Sequence, residues 1–342
     1  MVIFRFGCSL VTALLALLLA SDPAQSAAPF YQGKNIRIIV GAAPGGGYDA
    51  YARVIARHLG RHVPGNPAIV VENMAGAGSL ITANHTYKVA KPDGLTVGHF
   101  IGGLILQQVM GKPGIEFDGR KFEYLGVPAQ DNSVLGIASN TGITTAEQWI
   151  ASNTALKFGG VGPGSAADDI PKVAMATIGL PVQLVTGYKG TSLIRLAFNN
   201  GEIQGLANSW ESFKSTWRRE VETGELRIIL QALSKRHPEL PNVPLIIDYA
   251  KTADAKALIE VGINNYGATA RPFVLPPGTP KDRVELLRKA FTGTMNDPEF
   301  IADAKRAALD LNPLTGLEIE KIIASVYKLD ARLVEKLKTI LK

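Results

Sequence analysis

Cysteine is almost missing from this chain: its 342 residues include one, Cys8. That residue sits in an apolar N-terminal stretch, so a processed chain would have no disulfide and no cysteine nucleophile, and would fold by core burial alone. Aromatic residues make up only 7%. After the first twenty residues no long apolar run recurs, so the mature chain is expected to be soluble. Runs of like charge are also missing. Lys and Arg number 36 against 30 Asp and Glu, a net +6 spread along the chain, which argues against nucleic acid and for a mild preference for acidic solutes.

The first segment that is present concerns export. Met1 to Arg5 carries one positive charge, Phe6 to Ala20 is apolar or small, and Ala24 and Ser26 allow cleavage before Ala27 or a residue or two later. This is the three-part layout of a secretory signal peptide, too short and too early for a good membrane anchor. Residues 1–26 are therefore assigned as leader, and the mature chain is placed in the periplasm.

Beyond the leader the pattern is strand, glycine turn, helix, repeated. Ile36 to Gly41 reads as a strand, Pro44-Gly45-Gly46-Gly47-Tyr48-Asp49 as a turn, and Ala52, Ile55, Ala56 and Leu59 as the i, i+3, i+4, i+7 face of a helix that Gly60 and Pro64 end. Ile69 to Val71 is followed by a second turn around Ala75-Gly76-Ala77-Gly78 and by Ser79 at a helix start; Thr96 to Phe100 forms a third strand. The order recurs about 110 to 120 residues later. Phe158 leads to Gly162-Pro163-Gly164-Ser165-Ala166, where Ser165 and Asp168 have capping-box spacing, and Val182 to Val185 leads to Tyr188-Lys189-Gly190. Gly205 then leads to Asn208-Ser209. The fold class read from this is α/β: two doubly wound domains with parallel sheets, built alike. A C-terminal tail of helices is expected to return and cover the first domain. Its first helix would start with Thr279 as N-cap, Pro280 at N1 and Asp282 completing the box, with Val284, Leu287 and Phe291 inward; two more would span Pro298–Ala307 and Leu317–Leu341.

A glycine turn before a helix offers unpaired N–H groups and a partial positive charge to an anion. Gly45-x-Gly47-x-x-Ala50 formally fits a dinucleotide fingerprint, with Glu72 near the ribose position. Export, Pro44 ahead of the glycines and the lack of hydride-handling residues count against it, and no Gly-Lys-Ser/Thr follows for a Walker site. His58 and His62 stand at i, i+4 with no third ligand; Asp168-Asp169 sits where acids favour a helix N-terminus. No catalytic residues, metal or cofactor are therefore assigned. Where two such domains face each other, their turns converge on the crevice between them, and a small carboxylate suits that geometry. Asp49 has two readings here: it braces its helix with Arg53 at i+4, or it faces the crevice.

The ordered set Pro44-Gly45-Gly46-Gly47-x-Asp49-x-x-x-Arg53, Val71-Glu72-Asn73-Met74-x-Gly76-Ala77-Gly78, Lys91-Pro92-Asp93-Gly94-Leu95-Thr96, Tyr188-Lys189-Gly190 and Pro277-Gly278-Thr279-Pro280 resembles the substrate-binding receptors of tripartite tricarboxylate transporters, the Bug family. The resemblance spans nearly the whole mature chain. It implies a periplasmic-binding-protein (type II) clamshell, with domain 1 from 27–130 and 267–342, domain 2 from 131–266, and hinge strands near Ala129–Asp131 and Tyr266–Ala268. It further implies capture of a dicarboxylate, tricarboxylate or aromatic acid and delivery to the membrane permease subunits of such a transporter, as a monomer. First-domain ligand contacts would come from Pro44, Gly45, Gly46, Gly47, Tyr48, Asp49, Ala75, Gly76, Ala77, Gly78 and Ser79, largely through backbone amides. Those of the second domain would come from Gly162, Gly164, Ser165, Ala166, Tyr188, Lys189, Gly190, Asn208 and Ser209. The chain departs from the family in Gly41-Ala42-Ala43 before the turn, in Val185-Thr186-Gly187 before Tyr188, in an insertion around Ile246–Lys256, and in Asn265-Tyr266-Gly267. A sensory receptor reporting to a membrane kinase and a secreted α/β enzyme on an acidic substrate are the alternatives.

Overall fold

The computed structural model describes residues 29–342 apart from 153, 265 and 266. The leader with Cys8, the cleavage positions at 26–28 and the hinge residue Tyr266 lie outside the described residues.

In the first sheet, Ile36, Ile38 and Val40 alternate along β1 (Asn35–Val40) toward one face, because successive strand side chains point to opposite sides. They bury against Ala52, Ile55 and Leu59 of the helix Gly47–Leu59 and against Val284, Leu287 and Phe291 of the helix Lys281–Met295. The other face packs Phe100, Phe122 and Tyr124 on Ile319 and Ile323. β2 (Ala68–Asn73) and β3 (Thr96–His99) flank β1 in parallel. Beyond β3 the expectation of a parallel sheet fails. β10 (Phe273–Leu275) lies antiparallel between β3 and β4 (Glu123–Val127), and β11 (Leu314–Thr315) is antiparallel on β4. A chain returning from the other sheet enters from the opposite end, which sets this direction. The order is β11-β4-β10-β3-β1-β2.

The second sheet has five strands. β6 (Leu156–Gly159) is parallel to β7 (Val182–Val185) and β8 (Gly205–Ser209), while β5 (Ser133–Ala138) enters antiparallel between β8 and β9 (Leu226–Gln231). Helices cover both faces. Leu135 and Ile137 pack toward Trp149 and Ile170, and Val134 packs the other way toward Phe213 and Trp217.

One local expectation holds and two others are corrected. The first α-helix ends at Leu59 with Gly60 as its C-cap, as expected, and a 3-10 turn, Gly60–His62, carries the chain on toward Pro64. Glycine is needed at position 60 because a Cβ would come within 2.4 Å of the Pro67 carbonyl. Thr279 is not the N-cap of the helix Lys281–Met295; its hydroxyl donates to the Pro276 carbonyl, and Pro280 holds the cap position. The final helix is two, Gly316–Val326 and Ala331–Ile340. The tail does not all return to the first sheet: Leu337 and Leu341 are buried with Leu258, Ile259 and Ile263 beside the second.

Candidate functional site

Four strand-to-helix turns meet where the two sheets face one another. The helix Gly47–Leu59 starts after Gly46 with no side-chain cap on its first N–H groups, and Gly46, Gly47 and Tyr48 at this start line the crevice. From the second sheet, the helices Ala166–Ile178 and Thr191–Asn199 present their N-termini, and Ser209 caps the helix Trp210–Thr216. Between them lies a cavity with about 40 Å3 open to the centre of a water molecule. Its walls mix polar groups, including Gly46, Ser165, Asn208 and Arg271, with Ala42, Ile101, Val161 and Ala207.

The two sides are in contact around this cavity. The Ala43 amide donates to the Lys189 carbonyl at 2.8 Å, and the Ser192 hydroxyl donates to the Pro44 carbonyl at 3.0 Å. Gly78 and Gly162, both at positive φ, touch back to back: a Cβ on Gly162 would stand 3.0 Å from the Gly78 Cα.

Of the residues expected at a ligand, Gly46, Gly47, Tyr48, Ser165, Ala166, Gly190, Asn208 and Ser209 line the cavity. The rest stand outside that lining. Pro44, Lys189, Gly78 and Gly162 make the contacts across the crevice just described, and the Tyr188 amide donates to the Gly160 carbonyl. Ala75, Gly76 and Ala77 form the adjoining turn, which ends where the Ser79 hydroxyl donates to the Gly41 carbonyl. The Gly164 amide donates to the Asp169 carboxylate. Asp49 resolves to the first of its two readings. Its buried carboxylate accepts from the Gly45 amide, Arg53 Nε and Asn73 Nδ2, all at 2.9 Å. Burial pushes its pKa up, but the bonds from Arg53, Gly45 and Asn73 outweigh that and hold it below the usual carboxylate range. Asp49 shapes the turn from behind.

Asp168 acts similarly in the second half, accepting from the Gly162 amide and the Ser165 hydroxyl, while Ser165 caps the helix through the Asp168 amide. Glu72 pairs with Arg37 on the neighbouring strand. His58 and His62 reach Asp303 and Asp297 at 2.9 and 2.8 Å.

Arg271 was not anticipated. It follows the second crossing between the sheets and is 1% exposed. It pairs with Asp131 from the first crossing, and its Nη2 donates to Ser209 and Ser212 at 2.8 Å. The rings of Tyr48 and Tyr51 lie 4.8 and 4.9 Å from the guanidinium carbon. The sequence carries no local signal for it, because Asp131 and Arg271 are 140 positions apart. Glu211, behind Asp131, accepts from the Asn132 amide and side chain. Burial pushes its pKa up to about 7, helped by the neighbouring Asp131 charge. His99, beneath Tyr48, is fully buried; desolvation lowers its pKa to about 3, so the ring stays neutral.

Two α/β units closing a polar cavity with their helix N-termini define a two-lobed solute-binding protein. Residues 51–339 match the model of the tripartite tricarboxylate transporter family receptors, and the chain belongs to that family. A UPF0065 protein of Cupriavidus necator is 26% identical over 98% of this chain and 96% of its own length. Among solved structures, the periplasmic binding protein BugD superposes with a TM-score of 0.74 at 20% identity, covering 91% of this chain and 98% of its own. An R. palustris protein solved with adipate gives 0.72 at 20% identity, over 90% and 97%. Receptors of this family are periplasmic binding proteins that serve tripartite transporters and take small organic acids. Among the described residues, no helix is long and apolar enough to cross a membrane.

Proposed function

We propose that this chain captures a small carboxylate between two lobes and hands it to the permease subunits of a tripartite tricarboxylate-type transporter. The observation that carries the ligand class is the convergence of helix N-termini from both sheets on one cavity, since such termini favour an anion without a matching buried cation. The adipate held by a neighbour of the same fold is in keeping with it. In this reading the leader is removed near residues 26–28 and the mature receptor works in the periplasm as a monomer. The lobes are 27–130 with the chain from 267, and 131–266, with the final helix strapped across to the second. Closure bends the paired segments at 129–131 and 266–268, where the Asp131 amide donates to the Gly267 carbonyl at 3.0 Å.

The test uses mature protein, unfolded and refolded to strip retained ligand, screened by thermal shift against a broad organic-acid panel. At least one acid should raise the melting temperature in a concentration-dependent way. No shift with any acid rejects the reading.

A further inference from the structure

Two side-chain donors at the cavity lack a hydrogen-bond partner: Arg271 Nη1 and Asn208 Nδ2. Both residues line the cavity, and both are more than nine-tenths buried. An unpaired buried donor costs about 1–3 kcal/mol, more when charged, so such groups persist where an acceptor is to be met. Their surroundings fix them in place. Asn208 stands on β8 with its backbone paired to Val134, and Arg271 is held by Asp131, Ser209 and Ser212 through its other nitrogens. Gly47 leaves room for the Ser212 hydroxyl and for the guanidinium it holds: a Cβ there would come within 2.1 Å of Ser212 Oγ and 3.1 Å of Arg271 Nη1.

We propose that Arg271 Nη1 and Asn208 Nδ2 form the head-group clamp of this receptor, donating to the carboxylate of a compact monocarboxylic acid whose apolar body lies against Ala42, Ile101, Val161 and Ala207. The proposal rests on the carboxylate reading above and narrows it. The restriction to one carboxylate comes from the donors and the room. Asp131 already neutralises Arg271. The two unpaired donors suit one carboxylate, the cavity leaves about 40 Å3 open to the centre of a water molecule, and its walls beyond the donors include Ala42, Ile101, Val161 and Ala207. A second carboxylate would meet those walls with no further cation in the lining, and an uncompensated buried charge is strongly disfavoured. The serine hydroxyls of the lining are already engaged: Ser165 with Asp168, Ser209 and Ser212 with Arg271.

The test is calorimetric titration of the refolded receptor with propionate, butyrate, succinate, citrate and butyramide, repeated on Asn208→Asp and on the charge-neutral double variant Asp131→Asn/Arg271→Gln. Asn208→Asp keeps the side-chain size but sets a carboxylate against the ligand. A monocarboxylate is expected to bind the wild type, with butyramide and citrate weaker by about tenfold or more, a difference of about 1.4 kcal/mol. Each variant should lose at least as much while its circular dichroism matches the wild type. Unchanged monocarboxylate affinity in folded variants, or succinate and citrate binding in preference to propionate and butyrate, overturns the clamp while leaving the carboxylate reading in place. Failure of every acid on the wild type overturns both.

Discussion

At the scale of single residues, this protein buries charge sparingly and uses most of it as bracing. Asp49 is the clearest case: three donors converge on a carboxylate that supports the glycine turn without reaching the cavity. Asp49→Ala leaves the Gly45 amide unpaired and takes from Asn73 Nδ2 one of its two acceptors, the other being the Ala42 carbonyl, and should cost about 1–3 kcal/mol of stability, measured by denaturant unfolding, with affinity falling too. A variant that loses affinity at full stability would instead put Asp49 at the ligand. Glu211 yields a pH prediction. Its pKa is about 7 in the fold against 4.5 in the unfolded chain, so the folded state holds the extra proton between those values. The stability this contributes is complete below pH 4.5 and is lost as pH rises through 7. The margin by which the wild type melts above Glu211→Gln should therefore shrink from pH 5 toward pH 8; a margin that does not change with pH would show that Glu211 does not titrate there. Neither assignment could be made from sequence. Whether an acid braces a turn or faces a crevice depends on Asn73, 24 positions away, and on how deeply the chain wraps it.

At the scale of elements, the turns were legible and the sheets only half so. Glycine runs ahead of helices are local signals, and each marked turn does begin a helix or approach the crevice. The antiparallel strands β5 and β10 were not legible, since strand direction depends on which end of the sheet the chain enters after crossing from the other one. The glycine turns also carry a closure test. Gly46 has an ordinary extended backbone, and a Cβ there would sit 3.0 Å from Thr191 Oγ1 across the crevice. Gly46→Val should thus fold normally but keep the two sides apart, lowering affinity about tenfold or more. Calorimetry and a melting curve on the same sample check both halves; unchanged affinity would mean the turns need not meet.

At the scale of the whole molecule, the chain crosses between the sheets three times, the third at 327–330 ahead of the last helix. That helix makes the C-terminus part of the second core, with Leu337 fully buried. Leu337→Ala should cost about 2–5 kcal/mol in chemical denaturation. A loss below 1 kcal/mol would show that the helix is only laid on the surface.

The sequence alone determined what local chemistry controls: the alternation of strands and helices, the glycine turns ahead of helices, and the ordered motifs that resemble the receptor family. The tertiary structure decided which turns share a cavity, that Asp49 stands behind its turn, and that Arg271 and Asp131 meet at the crossings. Those outcomes depend on contacts between residues tens to more than a hundred positions apart, where closeness is set by the packing of two sheets and leaves no periodic trace along the chain.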